Sequence, residues 1–152
     1  MANSGIISGC TVVSNWSDRP GAGISVKANI FGNFENCIIY FNVGDPAWGP
    51  FGSNCYVVTS SSFTNCCLAP APSGDSATYS TNNITTDPQF VDWTNGNYRL
   101  SRNSQCINAG VNRDWMIGTV DLDSHRRVDK FSGRVDIGCY EYLPSGVIFN
   151  IK

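Results

Sequence analysis

Two stretches, Ser8-Gly9-Cys10-Thr11-Val12 and Glu35-Asn36-Cys37-Ile38-Ile39, carry the same pattern of residue types. A small or polar residue comes first, then Gly or Asn, then Cys, then strand-forming residues. Ser53-Asn54-Cys55-Tyr56-Val57 and Thr64-Asn65-Cys66-Cys67-Leu68 continue it. The Cys spacings are 27, 18 and 11. The first two suit one coil of a parallel β-solenoid, in which equivalent residues stack about 4.8 Å apart. Cys10 and Cys37 then point inward, one above the other. The third spacing is too short for a coil and places Cys55 and Cys66 on different faces. An Asn or Gly ahead of Cys fits a corner taken in the left-handed conformation, or an Asn ladder. Chance dipeptides in an Asn-rich chain are the competing explanation.

The rest of the chain agrees with an all-β reading. Runs such as Ile38-Ile39-Tyr40-Phe41 and Tyr56-Val57-Val58-Thr59 are short, rich in β-branched and aromatic residues, and separated by Gly, Asn, Pro and Ser. Helical periodicity is nearly absent. The 152 residues amount to about one domain. Charged residues are only 14% and the net charge is −2, so the basic footprint of a nucleic-acid binder is missing. No apolar run approaches the roughly 18 residues of a membrane span.

Seven Cys and a single His, His125, give no set of ligands for zinc, and no cofactor is implied. Cys reads instead as a small buried apolar filler. Met1-Ala2-Asn3-Ser4 lacks the basic and apolar regions of a signal peptide. With an Asn- and Ser-rich surface, we therefore expect a piece of a longer secreted parent, located outside the cell or on its surface.

Charge divides the chain. Residues 1–90 hold seven charged side chains and residues 91–152 the other fifteen. The second part carries Asn83-Ile84-Thr85-Thr86-Asp87-Pro88-Gln89-Phe90-Val91-Asp92, Gly96-Asn97-Tyr98-Arg99-Leu100 and Ser104-Gln105-Cys106-Ile107-Asn108-Ala109-Gly110. Asp121-Leu122-Asp123 with Arg126 or Arg127 follows, then Val135-Asp136-Ile137-Gly138-Cys139-Tyr140-Glu141-Tyr142. In this order, with Cys37-Ile38-Ile39-Tyr40-Phe41-Asn42 upstream, the run resembles the C-terminal end of large bacterial secreted right-handed parallel β-helix proteins. These are the pectin-lyase-like proteins of the choice-of-anchor type. Ser124-His125 ahead of Arg126, and Cys139 ahead of the last tyrosines, depart from that pattern.

The resemblance, which spans roughly residues 35–142, and the repeat together give the expectation of a right-handed parallel β-helix over residues 1–83 and an irregular β-rich cap over 84–142, and the apolar residues after Pro144 that of a strand-like tail over 143–152. The resemblance implies a coil-closing role for the cap motifs rather than catalysis. Read from the residues, Asp87-Pro88 marks a turn ahead of a strand, and Asn95-Gly96 a tight hairpin turn. Ala109-Gly110 ends a strand. Asp121, Asp123 and Asp136 pair with Arg126, Arg127 and Arg134 to pin loops. Asp121 and Asp123 are also a weak Ca²⁺ candidate.

Three functional classes follow. The first is a non-catalytic structural or carbohydrate-associated module, with polysaccharide or cell-surface glycan as partner. Its candidate binding residues are Trp48, Phe51 and Asp45 on the loop Asp45–Phe51, and Trp93, because exposed aromatics stack on sugar faces. The second is a fragment of a polysaccharide lyase or hydrolase whose catalytic residues lie in other coils. The third is a self-assembling fibre subunit that associates through an open N-terminal coil at residues 1–13 or through the tail Gly146-Val147-Ile148-Phe149-Asn150-Ile151.

Overall fold

The computed structural model describes residues 3–27, 30–47, 53–58, 60–70, 77–80 and 82–144. The fold is all-β, with helix limited among these residues to short 3-10 turns such as Trp93–Asn95 and Asp114–Met116. The strands are β1 (Asn3–Ser8), β2 (Thr11–Val13), β3 (Trp16–Ser17), β4 (Ile24–Val26), β5 (Ile30–Glu35), β6 (Ile38–Tyr40) and β7 (Val43–Gly44). They continue as β8 (Cys55–Val57), β9 (Ser61–Thr64), β10 (Cys67–Leu68), β11 (Ala77–Tyr79), β12 (Phe90–Asp92) and β13 (Asn97–Leu100).

Four sheets are parallel: β1-β5-β9-β11, β2-β6-β10, β3-β7 and β4-β8. Asn3 pairs with Ile30, Thr11 with Ile38 and Trp16 with Val43, the same offset of 27 residues in three separate sheets. The next layer follows 29 residues on, with Asn33 opposite Ser62 and Ile38 opposite Cys67.

Corners between strands repeat with that register. Gly9, Asn36 and Asn65 follow the paired residues Ser8, Glu35 and Thr64, and all three have φ between 50° and 62°. Asn and Gly tolerate this left-handed conformation better than other residues. A second corner at Ser14 and Phe41 has φ of 58° and 55°.

The cysteine after each left-handed corner makes the same bond every time. Cys10 Sγ donates to Ser8 O at 3.4 Å, Cys37 Sγ to Glu35 O at 3.3 Å and Cys66 Sγ to Thr64 O at 3.4 Å. A small, weakly donating thiol fills the inside of the corner and occupies a carbonyl there. Cys66, not Cys55, thus continues the column begun by Cys10 and Cys37. Cys55 lies in β8 opposite Ile24. Asn54 ahead of it is no corner residue. It joins an amide chain that runs inward from the surface, in which Asn15 Nδ2 donates to Asn42 Oδ1 at 2.9 Å and the buried Asn42 Nδ2 donates to Asn54 Oδ1 at 2.9 Å.

The main core lies between the parallel sheets and holds Val26, Phe34, Cys37, Ile39, Cys55, Val57, Phe63, Cys66 and Leu68. Phe34 and Phe63, partners in the β5-β9 ladder, stack with centroids 4.7 Å apart. A second core, built from Ile38, Cys67, Phe90, Leu100, Cys106 and Ile137, covers the other face of β2-β6-β10. Ile38 and Ile39 are therefore both buried, because their sheet has apolar layers on both sides.

The layer over that face comes from residues 84–142. Its hairpin β12-β13 is antiparallel, and its connection is the 3-10 turn Trp93–Asn95 closed by Gly96 at φ 79°, longer than a two-residue Asn-Gly turn. No strand ends at Ala109-Gly110; residues 101–111 are a run of turns. Gly138, at φ 110°, lies flat on the sheet, where a Cβ would stand 2.8 Å from Ile38 Cδ1 and 3.0 Å from Thr11 Oγ1.

Asn36 ties the two layers together. Its Nδ2 donates to Val111 O and its Oδ1 accepts from Val111 N–H, both at 2.8 Å, while its backbone oxygen accepts from Gly138 N–H at 2.9 Å. Asn65 Nδ2 donates to Ala109 O at 2.9 Å. Asn36→Ala removes two buried hydrogen bonds and forces alanine into a left-handed corner, so we expect a loss of about 2–4 kcal/mol in urea denaturation. Asn36→Gly, which relieves only the corner, should cost about 1 kcal/mol less.

Candidate functional site

Of the residues proposed from sequence for sugar contact, Trp48 and Phe51 lie outside the described residues. Asp45 is half-buried and caps its own turn, accepting Ala47 N–H at 2.8 Å. Trp93 stacks on Phe41 with centroids 4.3 Å apart and planes 8° from parallel. One face of this indole is therefore used to hold the hairpin against the end of β6. It remains 38% exposed.

The candidate Ca²⁺ residues are close together. One ligand atom each from Asp121, Asp123 and His125 lies within 4.8 Å of the others. These oxygens are already engaged. Asp121 Oδ1 accepts from Asp123 N–H at 2.8 Å and His125 N–H at 2.7 Å, and its Oδ2 accepts from Glu141 N–H at 2.8 Å. Arg99 grips Asp123 through both oxygens at 2.5 Å. That is the geometry of a loop fastening.

Asp121 belongs to a buried acidic knot. Asp136 accepts from Asn108 N–H at 2.7 Å and Tyr142 N–H at 2.5 Å, and donates its own N–H to Glu141 Oε2 at 2.9 Å. Arg127 reaches Glu141 Oε1 at 3.4 Å, Gly138 O at 3.0 Å and Gly9 O at 3.5 Å. Acids do pin these loops, but Asp121 and Asp136 do so through backbone amides, and Asp123 pairs with Arg99 rather than Arg126, Arg127 or Arg134. The reason is geometric: a carboxylate closing a tight turn meets N–H groups first.

Burial raises the Asp136 carboxyl above its usual range. Burial, with the nearby Asp136 charge, pushes Glu141 up to about 8 against the Arg127 guanidinium. These acids hold the chain rather than face solvent.

A separate open site lies beside β1 and β5. Ile6, Ser8 and Glu35 form one wall of a trough of about 630 Å³, and Arg113, Asp114 and Trp115 form the other. Ile6 pairs with Asn33 and Ser8 with Glu35, on the face opposite the inward Phe34. Ile6 is 75% exposed and Trp115 51%. Arg113 Nε donates to both Glu35 oxygens at 2.9 and 3.0 Å, and its Nη2 also contacts Glu35. This pair fixes the 3-10 turn Asp114–Met116 against the end of β5, with Met116 buried beneath it. Ser8 Oγ is buried and has no hydrogen-bond partner among the described residues.

Sequence alone gives Glu35, Arg113 and Trp115 no part in a site. Glu35 and Arg113 lie 78 residues apart, and only the docking of residues 109–115 along the corner column brings them together. Compared with protein-family models, curated proteins and solved structures, the chain matches none. What the site does is therefore argued from its chemistry.

The knot has a consequence for stability. Glu141 has a raised pKa in the folded chain, so unfolding releases a proton between its ordinary value of 4.5 and about 8. Its contribution is fully present below the lower value and is lost as pH rises through the upper one. We expect the melting temperature to fall by several degrees from pH 5 to pH 8. Glu141→Gln should flatten this decline, which thermal melts across that range will read.

Proposed function

We propose that this chain is a non-catalytic, carbohydrate-associated module formed by the last coils of a right-handed parallel β-helix and its cap. In this reading it is part of an extracellular or cell-surface protein of the pectin-lyase-like, choice-of-anchor type. The recurrence of one 27-residue offset in three parallel sheets supports the coil reading. The observation that carries the binding reading is Trp115, held half-exposed beside the Glu35–Arg113 pair on the outer face of β1-β5. A fixed aromatic plane next to hydrogen-bonding groups is what a sugar ring needs for stacking and hydroxyl contacts. The buried acids Asp121, Asp136 and Glu141 favour a module without catalysis, because their oxygens are spent on backbone amides.

Glycan retention in affinity electrophoresis tests this. Trp115→Ala should weaken retention at least tenfold, while Trp48→Ala tests the Asp45–Phe51 loop in parallel. Loss with Trp48→Ala alone would move the site to that loop.

Self-association is a second reading, favoured by one feature. At the β1 end, Gly5, Ile7, Ile24, Val26, Phe31 and Phe34 line an open apolar cleft of about 250 Å³, and Ile7 is 44% exposed. Light scattering over a wide concentration range should show species above 16.5 kDa if copies join through this end. A constant monomer would remove this reading.

A further inference from the structure

Resting on the carbohydrate-binding reading, we infer that the trough between β1-β5 and the Asp114–Met116 turn takes uncharged sugar units and excludes uronates. Trp115 and Ile6 supply the stacking surface, and Glu35 and Asp114 supply the polar edge. Among the described residues Arg113 is the one cation lining the trough. Arg113 spends its Nε on both oxygens of Glu35 and its Nη2 on the same carboxylate. Glu35 already balances this guanidinium, so a uronate reaching its remaining Nη1 and Nη2 hydrogens meets an ion pair rather than a free cation. Glu35 is also mostly covered, with its side chain 13% exposed, so it has little room to swing away.

The charge count points the same way. Glu35, Arg113 and Asp114 leave the trough with one net negative charge, on a chain whose net charge is −2. A polyuronate strand would bring further carboxylates against two that are already there, and among the described residues no second cation lines the trough. Neutral hydroxyls carry no such penalty. They donate to the Asp114 carboxylate. An exposed ring face with acceptors around it is suited to pyranose rings bearing hydroxyl or acetamido groups.

The test is affinity electrophoresis of the whole chain through gels containing neutral β-glucan, galactan or mannan, and through gels containing polygalacturonate or alginate. We expect retardation by at least one neutral polymer, lost at least tenfold in Trp115→Ala, and none by either uronate polymer. The double variant Glu35→Gln/Asp114→Asn leaves Arg113 as the trough's only charge. It should gain polygalacturonate retardation that fades with added salt. Asp114→Asn alone, which leaves the clamp on Arg113 intact, controls for folding and should not gain it. Stronger retardation of the wild type by a uronate polymer than by every neutral one would overturn the inference while leaving the carbohydrate reading in place. Neutral binding untouched by Trp115→Ala would also overturn it. No retardation by any polymer would overturn both.

Discussion

Everything else in this fold depends on the left-handed corner occupied in turn by Gly9, Asn36 and Asn65. A corner that repeats at a fixed offset keeps β1, β5 and β9 in one ladder and β2, β6 and β10 in another. The inside of the corner is filled by Cys10, Cys37 and Cys66, each bonded to the carbonyl two residues earlier. The outside is where the layer formed by residues 84–142, here called the cap, attaches. A left-handed residue is costly unless it is Gly, Asn or Asp. Asn adds a side chain with one acceptor and one donating group, which is what Val111 requires. Gly9 has no side chain to offer, and the Arg127 guanidinium occupies that position instead.

The attachment explains why the charged half of the chain belongs to the same body as the charge-poor half. β2-β6-β10 is covered on its outer face by Phe90, Leu100, Cys106 and Ile137, so the cap completes a core that the sheet alone would expose. Its irregular backbone is tied by buried acids that each close one or more turns. One guanidinium, Arg127, offsets their charge and links them back to the first corner. Burial raises the Glu141 pKa, and the neighbouring Asp136 charge adds to it against Arg127.

Much of this was legible in the sequence. The Gly/Asn-Cys repeat gave the parallel offset of 27 and the left-handed corner, since both follow from residue chemistry and spacing. It misassigned Cys55 because an identical dipeptide serves a different purpose there: Asn54 extends the amide chain from Asn15 and Asn42. Eleven residues separate Gly44 from Cys55 and seven separate Ser17 from Ile24, so spacing drifts there. The loop-fastening role of the acids was visible, but their partners were not, because backbone amides leave no trace in a sequence. The Glu35–Arg113 pair and its trough were hidden for a similar reason: their proximity depends on how residues 109–115 run along the corner column.

A corner column that fastens the cap makes a direct demand on one backbone group. Val111 lies outside any strand, yet its N–H is held by Asn36 Oδ1 inside the protein. Native-state hydrogen exchange of that amide is the measurement that bears most closely on the account. It should exchange only through global unfolding, as slowly as Ile38 and Ile39 in the doubly covered sheet. Exchange of Val111 at the rate of an exposed loop, while the β6 amides stay protected, would mean that the cap is not fastened at the corner and would contradict the fold described here.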